Sequence, residues 1–237
     1  MTWRDSNRSE SNNMALHSCQ SEEAVLANRE HLARELGVPL QRFVLANQTH
    51  SDHFYEVTNK DLGKGTLSAE TAIRDTDALF TYEQSIVLGT FTADCVPLLL
   101  WSSKSMLVAA VHSGWQGTVK EIVPKLLHFL QNEKNEDPQS LHVYIGPALS
   151  EQRFEVDADV ADRYKQLGYA DPFIRYEDKT GKFHIDNILT VKEQCLRAGI
   201  PGDNITYSST CTFTSEHGFS YRQDRQSGRH LGFIYRH

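Results

Sequence analysis

Two short motifs near the middle of the chain bring a thiol and an imidazole to the ends of apolar segments. Cys95 lies in the segment Thr92-Ala93-Asp94-Cys95-Val96-Pro97, and His112 opens the segment His112-Ser113-Gly114-Trp115-Gln116-Gly117. A thiolate and an imidazole are both ligands that zinc accepts. The same pair can also act as a nucleophile and its general base. These residues therefore predict either a metal site or a cysteine-histidine hydrolase.

A second histidine could complete a metal site. His50 lies in a polar loop, where an isolated histidine is usually a surface residue. With Cys95 and His112 it forms a Cys-His-His set. Three protein ligands leave a fourth zinc position open for water, whose pKa then falls to about 7. Copper accepts the same donors. Because the spacing is long and irregular, spacing alone leaves zinc, copper and a metal-free hydrolase open.

Charged residues within one of these motifs and near the end of the chain are further candidates for the site. Asp94 interrupts an apolar run, where a carboxylate is costly unless it is hydrogen-bonded or paired, and it is a candidate for moving protons. Near the end of the chain, Arg222, Arg225 and Arg229 lie within a short segment of an otherwise acidic protein. Arginine suits bidentate recognition of phosphate or carboxylate. A solvated hairpin tip in which Asp224 pairs with the arginines would explain the same cluster.

The composition is that of an ordinary globular protein. The chain has 237 residues, 39% of them hydrophobic, and a formal net charge of -7, which allows one large domain with a substantial core. The acidic balance disfavours nucleic acid as a partner.

No apolar run is long enough to span a bilayer, and the first residues lack a signal-peptide pattern, so we expect a cytoplasmic protein. Four cysteines without a C-x-x-C pair argue against a disulfide framework.

Local signals predict one α+β domain. A helix is expected over 22–36, with Ser21 as its N-cap and Gly37 at its end. The predicted strands are 42–46, 53–57, 77–81, 85–92, 96–101, 107–111, 141–145 and 205–208; further helices are expected at 118–131, 157–167 and 187–198. The tail, 218–235, is expected to form two strands around a basic turn. Closely spaced strands imply hairpins and therefore mixed or antiparallel sheets. Residues 1–12 are predicted to be flexible, and 13–237 to form the single domain.

Taken in order, these motifs resemble the YfiH family, also called the laccase-domain or multicopper polyphenol oxidase family. The resemblance covers nearly the whole chain, and its most specific parts are Gln48-Thr49-His50, 92–97, 112–117, Ser220-Tyr221-Arg222 and Gly228-Arg229. It implies a single domain of layered α/β/β/α form with mixed sheets. It also implies similarity to the catalytic domain of the cytotoxic necrotizing factors.

The resemblance further implies a metal site, usually zinc, at His50, Cys95 and His112. The implied activity is purine nucleoside phosphorolysis. Adenosine, inosine, guanosine or methylthioadenosine reacts with phosphate to give the free base and ribose 1-phosphate or its methylthio analogue, and adenosine is also deaminated. An older assignment for the family is copper-dependent oxidation of phenols.

The substrate-binding residues are expected among polar groups of the same motifs. Gln48, Arg222 and Arg229 are the candidates for contacting the nucleoside or the phosphate. The helix N-terminus that follows Gly117 is an alternative seat for phosphate, because its backbone N–H groups are free. Asp94 is the candidate proton carrier.

This chain departs from the common family pattern in two motifs. Ser113 and Gln116 replace the alanine and arginine of H-A-G-W-R-G, and Ser51 replaces the glycine of Q-V-H-G. The metal ligands are unchanged in both motifs. The loss of the arginine removes one positive group near the site, so phosphate affinity and substrate preference do not follow from the resemblance. The alternatives left open are a copper-dependent polyphenol oxidase, a metal-free hydrolase that uses Cys95 as its nucleophile, and a non-catalytic nucleoside sensor.

Overall fold

Five α-helices, twelve strands and eight short 3-10 helices make up the regular structure of the chain. The computed structural model describes residues 1–237. The helices are α1 Glu22–Leu36, α2 Trp115–Val119, α3 Ile122–Glu133, α4 Ala158–Lys165 and α5 Asn187–Arg197. The strands are β1 Phe43–Val44, β2 Phe54–Glu56, β3 Ala78–Thr81, β4 Val87–Thr92, β5 Val96–Ser102, β6 Val108–Ser113, β7 Leu141–Ile145, β8 Glu155–Val156, β9 Ile174–Glu177, β10 Lys182–Ile185, β11 Ile205–Tyr207 and β12 His230–Ile234.

The strands form three sheets. The largest has the order β11-β7-β5-β6-β3-β2, the second is β1-β4-β12, and the third is the small sheet β8-β10-β9. Three neighbouring pairs are parallel, namely β1 with β4, β2 with β3, and β7 with β11. The other pairs are antiparallel. The predicted mixed sheets of an α+β domain are therefore confirmed.

Apolar side chains hold the two larger sheets and their helices in four layers. Leu32 of α1 packs with Phe43 and Val87 on the outer face of the β1-β4-β12 sheet. A second cluster, which includes Leu88 of β4 and Ala110 of β6, lies between the two sheets. The other face of the six-stranded sheet is covered by α3 and α5 in the largest cluster. The order of layers is thus helix, sheet, sheet, helix.

Two predicted elements differ from the structure in instructive ways. The helix expected over 118–131 begins earlier, at Trp115, and is interrupted at Glu121, whose φ of 62° lies in the left-handed region. The tail contains one strand, β12, instead of the two expected over 218–235. Its first half forms turns because the backbone N–H of Arg222 is bound by Asp94 and that of Arg229 by Asn13. Side-chain acceptors thus replace a neighbouring strand.

The N-terminal residues contact the end of the chain. The backbone N–H of Thr2 donates to the carbonyl of Leu231 at 2.9 Å, and the N–H of Leu231 donates to the hydroxyl of Thr2 at 2.9 Å. The N–H of Arg4 donates to the carbonyl of His217 at 3.0 Å. The flexibility predicted for residues 1–12 stays a prediction. Among the five helices, none has the length and apolar character that crossing a membrane requires.

Candidate active site

Strand register brings Cys95 and His112 together. In the antiparallel pair β5 and β6, Val96 lies opposite Ser113 and Pro97 lies opposite His112. Cys95 immediately precedes β5, so it sits beside the last residues of β6. The antiparallel pairing of these two consecutive strands therefore brings the two motifs together at one edge of the six-stranded sheet.

The neighbouring strands deliver two more polar residues to the same edge. Asp77 immediately precedes β3, which pairs antiparallel with β6 so that Ala78 lies opposite Val111. The backbone N–H of His112 donates to the carbonyl of Asp77 at 2.7 Å. Because β2 runs parallel to β3, the loop before β2, which carries His50, enters at this edge as well.

The side chains of His50, Cys95 and His112 form a compact group. Their ligand atoms all lie within 4.8 Å of one another. Sγ of Cys95 is 3.7 Å from Nε2 of His50, and the two imidazole rings meet edge to face with centroids 4.8 Å apart. Two nitrogens and one sulfur at this separation suit a single zinc or copper ion. The donor set thus fits the expected metal.

His50 is held in an unusual backbone conformation. Its φ of 57° lies in the left-handed region, which non-glycine residues seldom occupy and which is often found at functional sites. Nζ of Lys120 donates to the carbonyl of His50 at 2.8 Å. Lys125 binds Asp52 two residues further along the same loop. These bonds from α2–α3 fasten the His50 loop from outside.

Asp77 was missed by sequence reasoning and is the most connected residue of the site. Its side chain is fully buried. It accepts hydrogen bonds from Nδ1 of His112 and from both the N–H and the hydroxyl of Ser51, each at 2.7 Å. It also accepts from the N–H groups of Thr49 and His50 at 3.1 Å. The available signal was a carboxylate directly before a buried strand.

The electrostatics of the site polarise Cys95 and His112. Burial raises the pKa of Cys95, but the charges and hydrogen bonds of His112 and His50 outweigh it and lower that pKa to about 6. Burial lowers the pKa of His112, but Cys95 and Asp77 raise it to about 9. Although burial raises the pKa of Asp77, its bonds to His112 and Ser51 lower it to about 2. Without a metal, each group therefore favours the charged form of the other, thiolate for Cys95 and imidazolium for His112.

The three candidate ligands open onto a cleft of about 570 Å³. Trp115, Phe154 and Tyr221 contribute aromatic surface to its wall, and Asn187 and Arg229 contribute polar groups. This volume and mixture of apolar walls with a few polar groups are typical of a site for a small molecule.

Residues 3–237 match the family described as multi-copper polyphenol oxidoreductase laccase. The chain belongs to this family. It is 31% identical over 227 residues to purine nucleoside phosphorylase YlmD of Bacillus subtilis (strain 168), covering 95% of this chain and 82% of YlmD. It is 32% identical over 215 residues to adenosine deaminase RL5 of an unknown prokaryotic organism, covering 90% and 82%.

Comparison with solved structures agrees with this family membership. The crystal structure of YfiH from Bacillus licheniformis superposes with a TM-score of 0.92 at 31% identity, covering 95% of this chain and 86% of that one. The predicted membership of the YfiH or laccase-domain family is confirmed. The chain is an enzyme of this family.

Gln48, expected to contact substrate, lines the cleft of this laccase-family enzyme with its amide already occupied. Its Nε2 donates to the carbonyl of Phe91 at 2.8 Å, and its Oε1 accepts from the N–H of Phe91 at 2.7 Å. Gln48 therefore clamps the His50 loop to β4.

Asp94 also lines the cleft and fastens the tail to it. Its carboxylate accepts from the hydroxyl of Thr212 and from the N–H of Arg222, both at 2.7 Å. The φ of Asp94 is 93°, a strained value for a residue with a side chain. One carboxylate thus ties Thr212 and the turn that carries Arg222 to the loop that carries Cys95.

The two predicted phosphate-binding arginines differ in how their charge is used. Nη1 of Arg222 donates to the carbonyl of Glu155 at 3.0 Å, which turns this exposed side chain towards β8. The guanidinium of Arg229 lies over the ring of Tyr221, 5.6 Å from its centroid, and donates only to carbonyls of its own turn. Burial lowers its pKa. Both arginines line the cleft, and Arg229 is the one whose side chain is half-buried there.

The three residues that depart from the family pattern lie in the His50 loop, at the end of β6 and on α2. Ser51 donates its hydroxyl to Asp77, and Ser113 shares a hydrogen bond of 2.9 Å with the hydroxyl of Thr118. Gln116 is half-buried on α2 and is not among the residues that line the cleft. The helix expected to offer a phosphate seat after Gly117 is only five residues long and begins before that glycine.

Proposed function

We propose that this chain is a zinc-dependent purine nucleoside phosphorylase that also deaminates adenosine. The observation that carries the proposal is a Cys-His-His group that opens onto a cleft with an arginine and aromatic walls. The names of the relatives supply the reaction class. Adenosine, inosine, guanosine or methylthioadenosine would react with phosphate to give the free base and ribose 1-phosphate or its methylthio analogue.

In this proposal His50, Cys95 and His112 hold the metal. Three protein ligands are typical of catalytic zinc, and bound zinc supplies Lewis-acid chemistry. Zinc is favoured over copper chemistry because oxidation of phenols by multicopper enzymes needs several copper centres. Only one group of three or more metal-ligating side chains occurs in residues 1–237.

Other residues of the cleft would bind and orient the substrates. Phosphorolysis breaks the bond between the anomeric carbon and the base nitrogen, forms a carbon–oxygen bond to phosphate, and leaves a proton on the departing base. Arg229 would hold the phosphate, because a guanidinium matches phosphate oxygens. Trp115 and Tyr221 offer ring surfaces for the purine. Asp94 would hold or move the proton, and Gln48 would keep the His50 loop against the cleft.

The test is phosphate-dependent release of hypoxanthine from inosine by His112→Ala, measured together with zinc content. We expect both to be lost. His128→Ala is the matched control, because His128 is an exposed histidine of α3. Full activity of His112→Ala with unchanged zinc content would overturn the proposal.

A metal-free hydrolase is the second candidate, because the polarised pair of Cys95 and His112 is what a cysteine nucleophile requires. The two functions respond differently to reagents. A phosphorylase that needs zinc loses activity with a chelator and regains it with added zinc, whereas the hydrolase tolerates the chelator and is stopped by thiol alkylation. Oxygen consumption with phenols and copper would instead indicate the oxidase.

The cytoplasmic location and the likeness to the cytotoxic necrotizing factor domain remain predictions from the sequence.

A further inference from the structure

We propose that Asp77 is a positioning residue that holds both histidines of the metal centre in their ligating arrangement. It acts on His112 through the imidazole ring and on His50 through the backbone. The inference rests on the metal centre of the proposed function and adds a residue that touches neither metal nor substrate.

The first link fixes the ring of His112. Nδ1 of His112 lies 2.7 Å from Oδ1 of Asp77, and both side chains are buried. A carboxylate can only accept, so Nδ1 must carry a proton, and the neutral ring then has its lone pair on Nε2. This is the tautomer in which His112 can share a metal with Cys95. Carboxylates commonly orient metal-binding histidines in this way.

The second link fixes the loop that carries His50. The N–H groups of Thr49, His50 and Ser51 all point at the Asp77 carboxylate, and the hydroxyl of Ser51 adds a fourth donor. Bonds to an ionised acceptor are stronger than neutral ones. They stabilise the left-handed backbone of His50, from which the ring reaches Cys95.

An amide at position 77 could not satisfy both links. Oδ1 serves His112 and the N–H of His50, whereas Oδ2 serves Thr49 and Ser51. If an asparagine presents its oxygen to His112, its NH₂ faces the donors of the loop. If it presents its oxygen to the loop, its NH₂ faces Nδ1 of His112, and the ring proton moves to Nε2, which then cannot bind metal.

The experiment compares the full-length wild type with Asp77→Asn and Asp75→Asn after metal removal. Asp75 is an exposed carboxylate two residues away that contacts the hydroxyl of Thr49 and the ring of His53, and an asparagine there can still accept from that hydroxyl. Zinc affinity is measured by competition with a chromophoric chelator. We expect Asp77→Asn to bind zinc about 10–100-fold more weakly, as for other residues that orient metal ligands, and Asp75→Asn to bind as the wild type does.

Cobalt absorption separates positioning from loss of structure. No hydrogen bond joins Cys95 to Asp77, so at saturating cobalt the thiolate charge-transfer band should persist in Asp77→Asn. The d–d bands, which report the full ligand set, should change. A merely destabilised protein would lose both in proportion to the unfolded fraction, and that result would overturn the inference.

The outcomes also separate this inference from the proposed function. Wild-type protein that fails to bind zinc would overturn the metal centre itself. Wild-type binding that Asp77→Asn matches would overturn the positioning role and leave the metal centre intact. If Asp77→Asn does not fold, Ser51→Ala decides, because it removes one donor from the same carboxylate and spares His112. Weaker zinc binding by Ser51→Ala supports the inference, and unchanged binding overturns it.

Discussion

Gly114 lies directly against the sulfur of Cys95. A Cβ atom at position 114 would stand 2.9 Å from Sγ of Cys95 and 2.7 Å from Cδ2 of His50. The φ of Gly114 is −64°, a value that any residue adopts. Space, and not backbone conformation, therefore requires glycine here, because the ligand group occupies the volume of any side chain.

We expect Gly114→Ala to lose zinc and phosphorolysis together. The added methyl group must displace two ligands, and overpacking of this kind costs about 1–3 kcal/mol. Metal analysis and the inosine assay measure the two losses. Gly202→Ala is the control, since its nearest neighbour would be 3.8 Å away. A Gly114→Ala protein with full zinc content would contradict the prediction.

Metal-free protein should be alkylated at Cys95 in weakly acidic solution. Iodoacetamide reacts with thiolates, and the pKa of Cys95 is about 6. The rate should therefore rise through a midpoint near pH 6, and bound zinc should block it. Mass spectrometry of peptides follows the reaction. Cys195, which is buried and has a pKa raised to about 12, is the internal control. A midpoint near the ordinary thiol value would refute the ion pair with His112.

Asp94→Asn tests proton transfer apart from anchoring. Its Oδ1 can accept from the N–H of Arg222 while its NH₂ donates to the hydroxyl of Thr212, so both anchors survive. We expect a free energy of unfolding within about 1 kcal/mol of the wild type. We also expect kcat to fall about 10²-fold or more, as for loss of a general acid or base.

Asp94→Ala provides the comparison, because it loses both anchors and should be destabilised by about 1–3 kcal/mol. Denaturant unfolding and steady-state kinetics supply the measurements. A wild-type kcat in Asp94→Asn would show that Asp94 anchors Thr212 and Arg222 and does not transfer protons.

Arg229→Ala should raise the KM for phosphate. Loss of a hydrogen bond to a charged group costs about 1.5–3 kcal/mol, which corresponds to a roughly 10–100-fold change in affinity. Initial rates at saturating inosine and varied phosphate measure it. Arg225→Ala, an exposed arginine of the same tail segment, should leave KM unchanged. Equal effects of the two substitutions would mean that general charge, and not a seat at Arg229, attracts phosphate.

Signals carried by neighbouring residues were sufficient for part of the fold. Helix α1 spans 22–36 as predicted, because Ser21 accepts from the N–H of Ala24 and Gly37 ends the helix with a φ of 65°. The sheet β8-β10-β9 was not predicted, since its strands are short and half-exposed. The prediction of two strands in the tail was wrong because the bond from Arg222 to Asp94 joins residues 128 positions apart, which local signals do not reveal.

The sequence by itself determined the chemical types, a thiol and an imidazole at the ends of apolar segments and a second imidazole in a polar loop. Only the tertiary structure decided that they form one group, because the registers of β3, β5 and β6 set which strand ends meet. Asp77 shows the difference most clearly. Its carboxylate precedes a strand like many others, and its role depends on five donors that only folding brings to it. Local residue preferences act over a few positions, whereas strand pairing acts across the whole chain.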